Sequence, residues 1–271
     1  MKEGRGRQLG LYAVLAALSF SYLYPWLYML VRSILRHEPG MSDGNGLFTF
    51  DFYRLVLGEA GFPTALLNSM LVLTVVLAGN IIFSLTVGYA LARYRFPLRN
   101  LLFWTIMATL MVPKQALMIP MLDLMVRLGL HDSLWALILP FCADGFNLFL
   151  MKQYIEGLPH DLEDAARVDG AGEAGILLRV IAPLSQPAIA VLIINTAIVN
   201  WNSFLFPLIL TDTAAVRTLP VTLAMFAQGP YGTDWGAMMA GATVSSLPVI
   251  AIFWYFQREI IEGITSGALK D

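Results

Sequence analysis

The segment PHDLEDAARVDGAGEAG, residues 159–175, carries five carboxylates (Asp161, Glu163, Asp164, Asp169 and Glu173), a guanidinium at Arg167, and three glycines. The chain on either side of it is apolar. Of the 271 residues, 58% are hydrophobic and 13% charged, whereas an ordinary soluble domain carries about 25% charged residues. Mean hydropathy is +0.68. A soluble core cannot hide this much apolar surface, so lipid is the expected solvent. The acidic segment is then the expected polar break between membrane-crossing helices.

A helix that crosses the hydrocarbon needs roughly 20 mostly apolar residues. Six stretches qualify: 9–31, a part of 60–92, 101–122 with Lys114 inside it, 133–151 with Asp144 inside it, most of 187–210, and 235–257. Lys2, Arg5 and Arg7 ahead of the first stretch resemble a secretion signal. The apolar run is too long for one, and Tyr22, Tyr24 and Trp26 read as an interfacial aromatic belt, so it is expected to stay as a span. Six spans put both termini on one side. The N-terminus, 93–100, 152–186 and the tail hold eleven of the Lys and Arg residues, and the remainder of the chain holds six. The richer side is expected to be cytoplasmic. The expectation is an all-α membrane protein, one transmembrane domain over 1–271, with 152–186 as a cytoplasmic loop.

Several function classes are excluded or unsupported. A net charge of −2 offers no basic footprint for nucleic acid. Cys142 is the single cysteine, so no internal disulfide can form, and it reads as packing. His37, His131 and His160 lack ligand spacing, and no metal site is expected. Neither a Walker phosphate loop nor the G-x-S-x-G and H-E-x-x-H hydrolase motifs occur in the chain.

The acidic segment reads as a short helix. Pro159 suits a first turn and Asp161 an N-cap or early acid. Glu163 and Arg167 stand at i, i+4 in the favourable order, worth about 0.2–0.5 kcal/mol on an exposed helix. Gly170 and Gly172 end it. A helix of this length is marginal alone, so it should rest on something. Leu162, Ala165, Ala166 and Asp169 fall on or near one face, small enough for close approach and bordered by charge, which suits docking into a groove on another protein. A solvated connector is the bland alternative. Length weighs against it, because helix–helix connections take about 2–8 residues and this one takes about thirty.

The segment EDAARVDGAGEAGILLRVIAPLSQPAI (163–189) resembles the EAA loop of the integral-membrane permeases of bacterial ABC importers, spaced E-A-A, three residues, G, nine residues, I-x-L-P. Asp164, Ala165, Ala166, Gly170, Val180, Ala182 and Pro183 stand in that register. Asp164 replaces Glu, Val180 replaces Ile and Ala182 replaces Leu, with Glu163 beside the shortened acid. WNSFLFPLIL from Trp201, TLPVTLAMF from Thr218, RFPLRNLLFW, MVPKQALMIP and the tail QREIIEGITSGALKD are similar to the carbohydrate permeases of the maltose-importer type, second-subunit kind. The resemblance covers nearly the whole chain.

The resemblance implies a type I ABC importer permease fold in a bacterial inner membrane. It implies pairing with a homologous permease subunit, two cytoplasmic ATPase subunits that hold ATP and Mg, and an extracytoplasmic solute-binding protein. No cofactor and no enzymatic activity are expected in this chain. Leu162, Glu163, Asp164, Ala165, Ala166, Arg167, Asp169, Gly170, Ala171 and Pro183 would form the ATPase-coupling loop. Glu262, Gly263, Thr265, Gly267 and Lys270 in the tail would be a second ATPase contact.

Polar groups inside spans are costly and often functional. Asn195, Asn200 and Asn202 lie in the fifth span beside Trp201. An indole face and amides suit a sugar's C–H face and hydroxyls, although amides also join helices. Lys114 and Asp144 either pair or sit at kinks beside Pro113 and Gly145. Asn200, Trp201, Asn202, Lys114 and Asp144 are therefore the substrate-path candidates. The expected cargo is a sugar or oligosaccharide, with glycerol 3-phosphate or related phosphodiesters as an alternative. A secondary transporter is the reading from another class. It would need inverted repeats and ion-coupling acids, neither of which the sequence displays clearly, and it has no use for an EAA loop.

Overall fold

A computed structural model describes residues 2–35, 48–58, 61–226 and 234–268, with backbone alone for 2–7, 9 and 258–268. Among these residues the regular secondary structure is helical apart from one isolated bridge, Leu35 to Phe48. The α-helices are α1 (Lys2–Ile34), α2 (Asp51–Gly58), α3 (Gly61–Arg93), α4 (Arg99–Thr109), α5 (Met118–Arg127), α6 (Leu134–Ile138), α7 (Gly145–Glu156), α8 (Asp161–Val168), α9 (Glu173–Ile176), α10 (Ala182–Leu184), α11 (Gln186–Trp201), α12 (Leu205–Leu210), α13 (Leu219–Phe226) and α14 (Trp235–Ala268).

Four helical stretches are long and apolar enough to cross a membrane, Gly10–Ile34, Gly61–Arg93, Leu134–Glu156 and Trp235–Gln257. Two bent pairs raise the number to six, Arg99–Thr109 with Lys114–Arg127 (96°) and Glu173–Leu184 with Gln186–Trp201 (77°). The six apolar stretches of the sequence are thus all helical, but two of them are not straight. The reasons are local. Pro113 holds an extended ψ of 125° ahead of a 3-10 turn, Lys114–Leu117, so the third stretch turns at Lys114. At the start of the fifth, Pro187 has no N–H to give the carbonyl four residues back, and the chain bends at Ser185 after a π-turn, Leu177–Ile181, so the bent pair starts at Glu173, before the apolar stretch itself. The fifth stretch itself breaks at Asn202, short of the continuous helix to 210 that hydropathy alone would draw.

The chain divides into two compact units, residues 1–63 with 222–247, and residues 64–221 with 248–271. In the first, Ser33 and Tyr53 hydroxyls share a hydrogen bond at 2.7 Å, and the rings of Phe62 and Phe226 lie 6.4 Å apart. The side chains of α1 from Leu11 to Tyr28 stay largely exposed, as a helix facing lipid should. In the second unit two apolar clusters are strung along α3. One joins Val72 and Val76 to Met125, Ala136, Leu137, Ile138 and Leu210. The other joins Leu85 and Tyr89 to Met151, Ile155, Ile176, Ile181, Ala188 and Leu192. Cys142 is packing, as expected: a Cβ on Gly79 would stand 2.7 Å from its Cβ, so only glycine lets α3 approach it.

Candidate functional site

Two polar assemblies stand out in the second unit, one in the acidic segment and one around a cavity.

The helix α8 runs from Asp161 to Val168, and Asp161, Glu163 and Asp164 supply its acidic first turn. His160 occupies the N-cap position, so Asp161 is an early acid and not the cap. The helix closes in a Schellman arrangement. Gly170 adopts φ +83°, its N–H donates to Arg167 O at 3.0 Å, and the Ala171 N–H donates to Ala166 O at 2.9 Å.

Its inward face is ionic, which helical spacing alone does not reveal. Glu163 is 1% exposed and Arg93, at the end of α3, is 4% exposed. Arg93 Nε donates to Glu163 Oε1 at 2.6 Å, and Nη2 donates to Leu158 O at 2.8 Å. Nη1 lies 3.2 Å from His160 Nε2, which must accept, since a guanidinium only donates. The i, i+4 ion pair expected for Glu163 and Arg167 forms at 3.7 Å, but its exposure is corrected. The carboxylate turns into the protein, where Arg93 Nε and the Tyr89 hydroxyl hold it more closely. Arg167 also bonds Asp164 at 3.0 Å and Glu173 at 3.3 Å. Breaking a buried pair of this kind by removing one partner costs about 3–5 kcal/mol.

A second tie follows α8. The Tyr89 hydroxyl lies 3.1 Å from Glu173 Oε2 and 3.3 Å from Glu163 Oε2, and Tyr94 donates to the same Glu173 oxygen. The Tyr94 phenol is pushed above its ordinary pKa, first by desolvation and then by its bond to Glu173. It remains a donor at any physiological pH.

The outward face carries Leu162, Ala165 and Asp169, all exposed, and Val168, 87% exposed. Val168 is absent from the residues expected of the loop, although three-residue spacing from Ala165 points to it. Ala166 and Ala171 turn the other way and pack on the apolar cluster around Tyr89. Pro183 is exposed on α10, past the π-turn. In the tail, Lys270 lies outside the described residues, and so do the side chains of Glu262 and Thr265; Gly263 and Gly267 fall on the α14 backbone.

The five substrate-path candidates come together. A cavity of about 390 Å³ is lined in part by Lys114, Asn200, Trp201 and Asn202. A second, of about 560 Å³, is lined in part by Lys114, Asp144, Asn147, Asn195 and Asn200. Both of the alternatives read for Lys114 and Asp144 hold at once. Lys114 Nζ sits 3.2 Å from Asp144 Oδ2, and both residues stand at helix breaks. Asp144 is also the N-cap of α7, its Oδ1 accepting from the N–H groups of Phe146 and Asn147. Trp201 is 5% exposed, too little to leave a full stacking face open to the cavity. Asn202 Nδ2 is spent on Ile198 O at 2.8 Å.

Along the wall of the second cavity runs an amide network that sequence reasoning does not assemble. Asn147 Nδ2 is 3.1 Å from Asn80 Oδ1 and 2.9 Å from Thr196 Oγ1, and Asn147 Oδ1 accepts from Asn195 at 3.1 Å. Asn80 also donates to Phe141 O at 2.7 Å. These amides come from separate apolar stretches, and only the packing of α3, α7 and α11 joins them.

Residues 80–262 match the family described as "Binding-protein-dependent transport system inner membrane component". The arabinooligosaccharides transport system permease protein of Bacillus subtilis is 36% identical over 260 residues, covering 93% of this chain and 92% of that one. The sn-glycerol-3-phosphate transport system permease protein of Pectobacterium atrosepticum is 35% identical over 207 residues, covering 76% and 74%. A chain of a bacterial ABC transporter involved in the import of the acidic polysaccharide alginate superposes with a TM-score of 0.83 at 25% identity, over 96% of this chain and 98% of that one. A largely helical chain with four to six apolar spans, an EAA-like loop and these relatives belongs to the binding-protein-dependent transport system inner membrane component family, as a multi-pass permease subunit of an ABC importer.

Proposed function

We propose that this permease subunit carries a neutral sugar or oligosaccharide, and that α8 is the handle by which a separate ATPase drives it. The cavity at Lys114 and Asp144 carries the cargo reading. Its lining joins amide side chains to one cation, and that cation is matched by a carboxylate 3.2 Å away. Hydroxyls are well met by amides, while an anion would have to displace or face Asp144. The arabinooligosaccharide permease is consistent with this preference. A second reading, glycerol 3-phosphate, draws on the other relative and on Lys114, and it requires Lys114 to leave Asp144.

The whole of 1–271 acts as one permease domain with 152–186 as its coupling loop, paired with a homologous permease subunit and served by an extracytoplasmic binding protein. Both termini lie in the cytoplasm, in line with the excess of Lys and Arg on that side. ATP and Mg belong to the two partner ATPases, and this chain does no chemistry of its own. Support for docking comes from the two faces of α8: the inner one is held by Arg93, and the outer one leaves Leu162, Ala165 and Val168 exposed. The tail from Glu262 to Lys270 is the second contact.

Purification of the importer with Val168→Glu tests the handle. A charge in an apolar contact should strip the ATPase subunits while the two permeases stay together, and ATPases retained at wild-type amounts would refute it. For the cargo, uptake of labelled arabinooligosaccharide should exceed that of glycerol 3-phosphate by about tenfold or more, the equivalent of about 1.4 kcal/mol. The reverse order would favour the second reading.

A further inference from the structure

Arg93 does more than neutralise a carboxylate. It closes the cytoplasmic turn of α3 onto α8 through three acceptors at once, Glu163 Oε1, Leu158 O and His160 Nε2, and Tyr89 and Tyr94 tie the following residue cluster through Glu173. These bonds reach both the approach to α8 and the segment beyond it. Near its middle the same helix presents Asn80, which lines the larger cavity and holds Asn147 and Phe141 O. Asn80 and Arg93 lie on one uninterrupted helix, about 20 Å apart at 1.5 Å per residue. A guanidinium this buried cannot exchange its partners for water during a conformational cycle without exposing an unpaired charge.

We infer that Arg93 is the positioning residue through which displacement of α8 becomes displacement of α3, and hence of Asn80 at the cavity. The inference rests on α8 being where the ATPase docks. The loop and the helix travel as one body, and the motion that opens or closes the cavity takes place elsewhere, at the bends beside Lys114 and Ser185.

Two measurements on the full importer in proteoliposomes test it. The first is a spin-label distance between Gly172→Cys and Thr86→Cys in a Cys142→Ser background, followed through ATP binding and hydrolysis. Both positions are exposed, Gly172 lies just past α8 with open space around an added Cβ, and neither belongs to the docking face. The distance should hold within about 2 Å, the size of ordinary helix shifts, whereas a larger change overturns the inference. The second is Arg93→Lys, which keeps the buried charge but loses the fork. Substrate molecules moved per ATP should fall about tenfold while ATP turnover persists, because a point ammonium cannot hold three acceptors in one geometry. A wild-type ratio overturns the inference, as does a fall in transport matched by an equal fall in ATP turnover. If the variant does not assemble, the distance in the otherwise wild-type importer decides by itself, a constant value supporting the inference and a changing one overturning it. Failure of the docking reading is separable: ATPases still bound to Val168→Glu with a constant distance sink docking alone, and a changing distance with the ATPases stripped sinks the role of Arg93 alone.

Discussion

Two of the ion pairs that join separate segments of the described chain have similar chemistry and opposite circumstance. Arg93 and Glu163 are 4% and 1% exposed, whereas Lys114 and Asp144 are 54% and 23% exposed. The first pair is buried, and its guanidinium also bonds Leu158 O and His160. The second is a single contact at the edge of a cavity, between residues that each stand at a break in a helix. Burial decides which can move. Removing one member of a buried pair leaves a charge with no solvent, while an exposed pair trades its partner for water at little cost. A transporter needs both kinds, a rigid joint where force enters and a yielding pair where cargo passes.

The largest effect that follows is on stability. Glu163→Ala should destabilise the solubilised protein by about 3–5 kcal/mol, and Lys114→Ala by about 0–1 kcal/mol. Denaturant unfolding followed by helical circular dichroism measures both. Equal losses would break the contrast, and so would a Glu163 variant as stable as the parent.

The sequence makes one of these pairs half visible and hides the other. Lys114 and Asp144 are conspicuous because each is a lone charge within an apolar stretch. Their pairing is the outcome of two helix breaks, one at Pro113 and one just before Gly145, whose geometry no periodicity encodes. Arg93 reads as one more basic residue on the cytoplasmic side, and Arg99 with it. In the structure both are consumed internally, Arg99 on Leu91 O at 2.7 Å through its Nε and on Glu156 at 3.4 Å. A charge at the end of a span counts toward topology whatever it touches, so composition cannot distinguish a solvated arginine from a clamp. Glu163 misleads for a related reason. Its neighbour at i+4 is always in view in a sequence, while a partner seventy residues away is not. The fold class, the six apolar stretches and the extent of the acidic helix are legible, because hydropathy and glycine placement report directly on them. The amide network around Asn147 is not, since its members come from three separate helices.

A smaller effect separates the two duties of Asp144. Its Oδ1 caps α7 and its Oδ2 meets Lys114. Asn is as good a cap as Asp, so Asp144→Asn should keep stability within about 0.5 kcal/mol of the parent, while Asp144→Ala should lose about 1 kcal/mol with the cap. Only the charge differs at the cavity in the Asn variant. It should leave Lys114 free for anions and raise the uptake of glycerol 3-phosphate relative to a neutral oligosaccharide. An unchanged preference would mean that the pair has no part in selecting cargo, and the yielding half of the comparison would then be merely structural.

The smallest effect concerns a third carboxylate, one that anchors a loop through hydrogen bonds from backbone N–H groups and a hydroxyl. Asp132, at φ +57°, accepts from the N–H groups of Asp212 and Thr213 at 2.8 and 2.9 Å and from the Thr213 hydroxyl at 3.2 Å. The backbone bonds from Thr213 and Asp212, the leading causes, hold its pKa below the ordinary carboxylate value. A folded pKa below the unfolded one means that the charged form is what the fold prefers. Its contribution is therefore fully present above the unfolded value of about 3.9 and fades as pH falls through the lower folded value. Amide-exchange protection of Asp212 and Thr213, corrected for intrinsic rates, should stay level from about pH 8 to 5 and decline only below about pH 4. In Asp132→Asn the amide oxygen still accepts the same bonds but cannot titrate, so the acid decline should vanish while protection at neutral pH drops slightly. A decline that persists in the variant would assign the acid sensitivity to another group. Asp132 would then no longer extend the series, in which an anchoring carboxylate becomes harder to release as its surroundings become drier.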